Sequence, residues 1–287
     1  MGVWGLGNQR FSNFISGEIN ELNLGISALH KEKLHVGFSI NLIGVDFRQQ
    51  AILRETNNDG NGNTLDARLF QDNITTGNGF SFTTGLIYKP TQAFRFGLSY
   101  QSPTWFTELG EDYIEDTDIE VSNSNFTNFD NISQFLFYRL RTPSRVTLSS
   151  AIVFGKLGLI SFDYSSRNFQ NLNLSGDDFV DENRFFDSNL RRTNNFNVGT
   201  EWRFSSLSLR AGYRYQESPD ANAIDSDNLQ SYSLGLGYNF GSFKIDLSYS
   251  DNNRTAIYNF YPQFQQVDAA NLNIDNKIIA ATLTVNL

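Results

Sequence analysis

A strict alternation of apolar and polar residues constrains the fold of this chain more than any other feature of its sequence. The clearest run is LSLRAGYRY at 207–215, in which every second residue is apolar. Successive side chains point to opposite faces of a β-strand, so each such run predicts a strand with one apolar and one polar face. Further runs lie at 22–29, 34–47, 80–88, 94–100, 135–154 with a break near Pro143, 157–164, 196–204, 232–240, 243–249 and 277–287. The sequence therefore predicts an all-β chain of about eleven strands.

Short and long connections alternate along the chain between these predicted strands. The short ones lie at 30–33, 89–93, 155–156, 204–206 and 241–242, and the long ones at 48–79, 101–132, 165–195, 216–230 and 250–276. The long connections are polar and carry little apolar surface to bury, which disfavours a soluble β-sandwich or propeller. Short turns at one end and long loops at the other are typical of a transmembrane antiparallel up-and-down β-barrel. We predict a cell outer membrane protein with periplasmic turns and extracellular loops.

Composition agrees with a barrel and excludes several other classes. The mean hydropathy is −0.37 and no apolar run approaches the length of a membrane helix, whereas a barrel strand needs only every second residue to be apolar. The absence of cysteine excludes disulfides and thiolate chemistry. A net charge of −9 is the wrong sign for nucleic-acid binding.

The sequence contains no convincing catalytic or metal site. The two histidines, His30 and His35, lie beside no recognisable nucleophile or carboxylate constellation, so we predict that the protein is not an enzyme and has no cofactor. Residues 57–62 resemble the start of an EF-hand loop, but Arg68 occupies the position that requires a bidentate glutamate. We therefore predict no metal site there.

An acidic run at 108–120 is predicted to lie in the extracellular loop after Trp105. Its members are Glu108, Glu111, Asp112, Glu115, Asp116, Asp118 and Glu120. This run could hold divalent cations near lipopolysaccharide, or it could be a solvated loop whose charge discourages aggregation.

The beginning of the chain shows no secretory signal. We interpret residues 1–17 as an N-terminal segment and residues 18–287 as the barrel. The first and last predicted strands both descend towards the periplasm, which implies an odd number of strands. Because single-chain bacterial barrels have an even number, at least one more strand is expected upstream.

Four segments together resemble the FadL-type outer-membrane transporters of hydrophobic compounds, especially their Bacteroidetes branch. They are GLIYKPTQAFRFGLSYQSPTW at 85–105, TPSRVTLSSAIVFGKLGLISFDY at 142–164, LSLRAGYRYQESP at 207–219 and YSLGLGYNFGSFKIDLSYS at 232–250. The resemblance covers roughly residues 77–287. It implies a fourteen-stranded barrel of a Gram-negative outer membrane, plugged by an N-terminal hatch that has no counterpart in this chain.

The resemblance also implies a function, namely passive uptake of long-chain fatty acids or similar hydrophobic molecules. The implied partners are such a molecule, outer-membrane lipid and lipopolysaccharide, and the barrel is expected to be monomeric. The alternative is a structural or interaction barrel, such as a scaffold for a secretion or surface complex, without a transported ligand.

Five cations lie on the polar faces of predicted strands and are expected to project into the lumen. They are Arg95, Arg203, Arg210, Arg214 and Lys244. Charge-assisted hydrogen bonds from these side chains could hold a fatty-acid carboxylate. Alternatively, the cations pair with lumenal acids such as Glu201 and Asp246.

Overall fold

The computed structural model describes residues 6–122, 127–176, 179–258 and 269–285, which form one antiparallel sheet. Its strands are β1 (Leu6–His30), β2 (Leu34–Asn58), β3 (Thr64–Tyr88), β4 (Phe94–Gln101), β5 (Trp105–Val121), β6 (Thr127–Arg141), β7 (Arg145–Val153), β8 (Gly158–Asn168), β9 (Asn173–Ser175), β10 (Arg192–Phe204), β11 (Leu207–Gln216), β12 (Leu229–Asn239), β13 (Phe243–Tyr258) and β14 (Ala270–Val285). The helix α1 (Val180–Asn189) lies between β9 and β10, and 3₁₀ turns cover Phe169–Asn171 and Asp225–Asp227. None of the described helices is long and apolar enough to span a membrane.

Two strands that cross the membrane are interrupted. β3 pairs with β4 through residues 83–88 and with β5 through residues 65–80, so β4 and β5 are two parts of one ascending strand. β6 and β7 form the neighbouring descending strand in the same way, because they pair with β5 and β4 respectively. The short β9 pairs only with the end of β6. The described chain thus crosses the membrane eleven times, which confirms the predicted number and the break near Pro143.

Side-chain hydroxyls join the sheet at the two interruptions. The Ser102 N–H donates to the Phe82 carbonyl (2.9 Å), and the Phe82 N–H donates to Ser102 Oγ (2.9 Å). The Thr104 N–H donates to Thr142 Oγ1 (2.9 Å), and the Thr142 N–H donates to the Thr104 carbonyl (3.0 Å). A proline next to each hydroxyl has no N–H to continue the ladder, so these bonds replace part of it.

The two faces of the sheet differ as the alternation predicts. Large apolar side chains at alternate positions are exposed on the outer face, as Leu234 (63% exposed) and Leu236 (46%) are on β12. Aromatic rings cluster at two levels of the barrel, with Phe80 and Trp105 5.3 Å apart on the extracellular side and Phe154 and Trp202 5.5 Å apart near the periplasmic turns. Such rings are typical of the two membrane interfaces.

Two predictions about the extracellular side were wrong. Residues 48–79 are mostly strand, because β2 and β3 pair as far as Asn58 and Thr64 and leave only 59–63 as a loop. The acidic run at 108–120 lies in β5 rather than in a loop. Their apolar residues, such as Leu53 and Leu109, lack the long strict alternation of the lipid-facing segments, so apolar periodicity does not reveal these extensions. The strand β1 begins at Leu6, within the predicted N-terminal segment 1–17, and the division at residue 17 stays a prediction. Part of the predicted loop at 250–276 lies outside the described residues.

The sheet curls towards itself on the extracellular side. The rings of Phe11 on β1 and Tyr258 on β13 are 4.9 Å apart although these strands are not neighbours in the pairing order. The sheet therefore encloses a lumen, into which the residues that alternate with the lipid-facing side chains project.

Cysteine labelling can test the orientation, since the natural chain has no cysteine. Asn61 lies exposed at the tip of the β2–β3 hairpin, and Ser242 lies exposed in the turn between β12 and β13. An impermeant maleimide added to whole cells should label Asn61→Cys and leave Ser242→Cys unlabelled, while both should react in permeabilised cells. Labelling of Ser242→Cys alone in whole cells would reverse the assigned topology.

Candidate functional site

The lumen contains an apolar cavity of about 490 Å³ between β1, β2, β5 and β6. Its apolar lining consists of Ile15, Ile19, Val45, Phe47, Phe106, Leu109, Tyr138 and Leu140. Leu109 is among the most buried apolar side chains of the described residues, at 4% exposed. A concave apolar site of this size with a few polar groups is typical of small-molecule binding.

Two glycines and a β-bulge shape this cavity. A Cβ atom on Gly77 would lie 2.7 Å from Leu109 Cδ2, and one on Gly79 would lie 2.8 Å from Phe106 Cδ1. The side chains of Leu109 and Phe106 therefore lie flat against the sheet at positions 77 and 79, where only glycine leaves room for them. The pairing of β3 with β5 shifts register between Asn78 and Gly79, and the pairing of β5 with β6 shifts between Phe106 and Leu109. This bulge turns both Phe106 and Leu109 to the lumen face.

A polar group at the edge of the cavity is fully paired. The Tyr138 hydroxyl donates to Glu111 Oε2 (2.8 Å), and Asn73 Nδ2 donates to Glu111 Oε1 (2.6 Å). Further out, the Tyr113 hydroxyl donates to the Glu115 carboxylate. Glu18 and Asp46 also line the cavity, so a ligand would meet these acidic residues as well as the apolar side chains.

A buried polar layer lies between this cavity and the periplasmic half of the lumen. Asn41 (2% exposed) donates to Ser81 Oγ (3.0 Å) and Thr83 Oγ1 (3.2 Å), and accepts from Asn23 Nδ2 (2.5 Å). Beyond it, a second cavity of about 590 Å³ is lined largely by glycine, serine and threonine on the lumen faces of β1–β4 and β7. The lumen wall therefore carries smaller side chains below this polar layer than in the apolar cavity above it.

Three of the five predicted cations form one ion-pair cluster. Arg210 donates to Glu201 (2.7 Å) and to Asp246 (2.7 Å), while Arg203 pairs with Glu201 (2.5 Å) and Lys244 pairs with Asp246 (2.8 Å). The cluster joins β10, β11 and β13. The three cations pair with Glu201 and Asp246, the lumenal acids predicted from the sequence as alternative partners. These cations therefore already have counter-ions.

The other two predicted cations lie apart from this cluster. Arg214 Nε donates to Asn197 Oδ1 (3.1 Å). Arg95 lies opposite Ala151 and is exposed, and it makes no ion pair within the part of the chain that the structure describes. None of the five predicted cations lines the apolar cavity. The glycines at 77 and 79 were the sequence signal for that cavity, but they could equally have marked a bend in the strand.

The EF-hand-like segment is a turn. Asp59 Oδ1 accepts from the backbone N–H groups of Asn61 (2.8 Å) and Asn63 (3.1 Å), and Asp59 Oδ2 accepts from Asn63 Nδ2 (2.6 Å). These hydrogen bonds lower the pKa of the Asp59 carboxyl group. In the described ranges, no three His, Asp or Glu side chains converge as they would around a metal ion.

An antiparallel barrel with a lipid-facing apolar surface and an apolar cavity in its lumen defines a class, the outer-membrane transport proteins for hydrophobic compounds. The family model of the outer membrane protein transport proteins (OMPP1/FadL/TodX) matches residues 17–256. The chain belongs to this family, which confirms the FadL-type resemblance, the outer-membrane location and the prediction that the protein is not an enzyme.

Solved structures show the same fold at low sequence identity. A Pseudomonas aeruginosa FadL homologue is 13% identical with a TM-score of 0.53, and the match covers 92% of this chain and 77% of that chain. A ΔS2 mutant of the TodX monoaromatic hydrocarbon channel is 11% identical with a TM-score of 0.50, and the match covers 96% and 87% of the two chains. No curated protein sequence matches the chain significantly. The Bacteroidetes branch, the upstream hatch and the lipopolysaccharide contact stay predictions.

Proposed function

We propose that this barrel mediates passive uptake of long-chain fatty acids or similar hydrophobic molecules, and that the apolar cavity holds the molecule during passage. The cavity is the observation that carries the proposal. Moving an apolar molecule from water into such a site is favourable by about 25 cal/mol for each Å² of apolar surface removed from water. Capture therefore needs no energy source.

The polar layer below the cavity supports transport rather than permanent storage. Asn41 and Ser81 present paired polar groups where the apolar lining ends. A hydrophobic molecule that moves past Phe47 to the level of Asn41 meets these polar groups, so it is bound less tightly at this layer than in the cavity. A site that binds at the outer side and releases at the inner side is what passive uptake requires.

Uptake measurements with a charged substitution in the cavity test this proposal. Leu109→Glu should lower the initial rate of oleate uptake into whole cells by at least about tenfold, because an unpaired carboxylate in an apolar site costs several kcal/mol. Thr117→Glu is the matched control, since Thr117 lies on the same strand and face but outside the cavity. Gel mobility before and after heating shows whether each variant is folded.

Toluene supplied in parallel tests the chemical class of the molecule. Oleate uptake that exceeds toluene uptake and is lost in Leu109→Glu supports a fatty-acid transporter. Uptake of toluene alone would make aromatic hydrocarbons the substrate. Equal uptake with and without the protein would overturn the proposal and favour the scaffold alternative.

A further inference from the structure

Two arginine side chains face each other across β7 and β8. Arg145 lies directly opposite Arg167 in the antiparallel register. On these strands the exposed apolar side chains are Val146, Leu148 and Phe162, which alternate with the two arginines and face lipid. Both guanidinium groups therefore project to the lumen side.

This pair lacks a counter-ion. Neither Arg145 nor Arg167 forms an ion pair or a side-chain hydrogen bond to any residue that the structure describes. The acid on the same face of β8 is Asp163, four residues from Arg167 and about 13 Å away along the strand. Arg167 instead lies 5.9 Å from the ring of Phe169.

Like charges directly opposite one another in a sheet are destabilising, so this arrangement differs from the other lumenal cations. In the Arg210 cluster each carboxylate lies between two cations. Here two positive charges lie together in a lumen wall where Arg167 is only partly exposed to solvent. An anion bound between them would remove the repulsion.

Neutral polar groups extend the pair into a row across four strands. Gln101 on β4 lies opposite Arg145, and Thr193 on β10 lies opposite Arg167. The Gln101 Oε1 atom is buried and has no hydrogen-bond partner within the described residues. Because a side-chain amide can rotate so that its oxygen and nitrogen exchange positions, Gln101 can present its NH₂ group to an anion beside Arg145.

The apolar cavity lies next to this row along the same strands. Leu140 precedes Arg145 by five residues and Phe106 follows Gln101 by five residues, and both line the cavity. Five residues of extended chain span at most about 17 Å. One molecule with an anionic head and a long apolar chain can therefore reach both features.

We propose that Arg145 and Arg167 bind the carboxylate of an anionic amphiphile whose apolar chain occupies the adjacent cavity. This inference rests on the proposed function and narrows it, because a neutral hydrocarbon offers no group for the arginine pair. Two guanidinium groups can bind the two oxygens of a carboxylate by charge-assisted hydrogen bonds. The pair would then determine specificity, while the cavity supplies apolar contact.

Equilibrium binding of oleate and of oleyl alcohol to the full-length protein in detergent tests the inference. The two probes share one apolar chain and differ in the head group. Arg145→Gln combined with Arg167→Gln should weaken oleate binding about ten- to a hundredfold, as expected for loss of a charge-assisted contact, and change oleyl alcohol binding less than about twofold. Arg192→Gln is the control, because this exposed arginine lies beside the row but on the opposite face of β10.

A stability measurement separates a ligand site from a structural role. Without ligand, the double variant should unfold at the same or a higher temperature than the natural protein, because the repulsion between the arginines is removed. Unchanged oleate affinity, equal losses for both probes, or a less stable ligand-free variant would each overturn the arginine site. If both probes bind the natural protein and the double variant binds each of them equally well, only this inference fails. If neither probe binds the natural protein, the proposed function fails with it.

Discussion

Leu234→Arg is expected to destabilise the folded barrel by about 2–4 kcal/mol, because arginine facing lipid at the bilayer midplane costs that amount. Leu234 lies at the centre of β12 and is 63% exposed on the outer face. Urea unfolding of the barrel refolded into lipid vesicles, followed by tryptophan fluorescence, measures the loss.

Ser233→Arg provides the matched control. Ser233 is the neighbouring residue on the lumen face, opposite Gly212 on β11. An arginine there has access to the lumen, so its effect should stay below about 1 kcal/mol. A larger loss for Ser233→Arg than for Leu234→Arg would mean that the two faces of β12 are assigned the wrong way round.

Leu109→Ala is expected to lower the free energy of unfolding by about 2–5 kcal/mol, the range for removing a buried leucine side chain. Leu109 is 4% exposed and lies opposite Gly77, which has no side chain to fill the space left by the substitution. The loss should therefore fall in the upper part of that range. The same unfolding experiment measures it.

Leu136→Ala on the adjacent strand β6 is the comparison for this prediction. Leu136 also faces the lumen, but it is 37% exposed and lies outside the cavity. Its replacement should cost less than about 1.5 kcal/mol, since little apolar surface leaves a packed environment. Equal losses for the two variants would contradict the packing around Leu109.

The separation of lipid-facing from lumen-facing residues could be predicted from the sequence because it depends on one local rule. Side chains alternate along a strand, and only the face in contact with lipid must be apolar throughout. This rule placed Arg210 in the lumen and located the short turns. It did not locate the outer halves of β2, β3 and β5, because those segments lack the continuous apolar face that lipid contact requires.

The charge state of the lumen could not be predicted in the same way. Arg210, Glu201 and Asp246 come from three strands, and only their lateral register brings them within hydrogen-bonding distance. Arg145 and Arg167 carry the same sequence signal as Arg210, namely an arginine on a polar face. The register pairs them with each other instead of with a carboxylate.

The sequence by itself determined the class of fold, the number of membrane crossings and the family, since alternation, turn spacing and the four hairpin segments are local properties. Only the tertiary structure showed the apolar cavity and which lumenal cations lack counter-ions. The physical reason is that a cavity and an ion pair each need side chains from strands that are distant in sequence. Phe106 and Leu140, for example, lie side by side only because β5 pairs with β6.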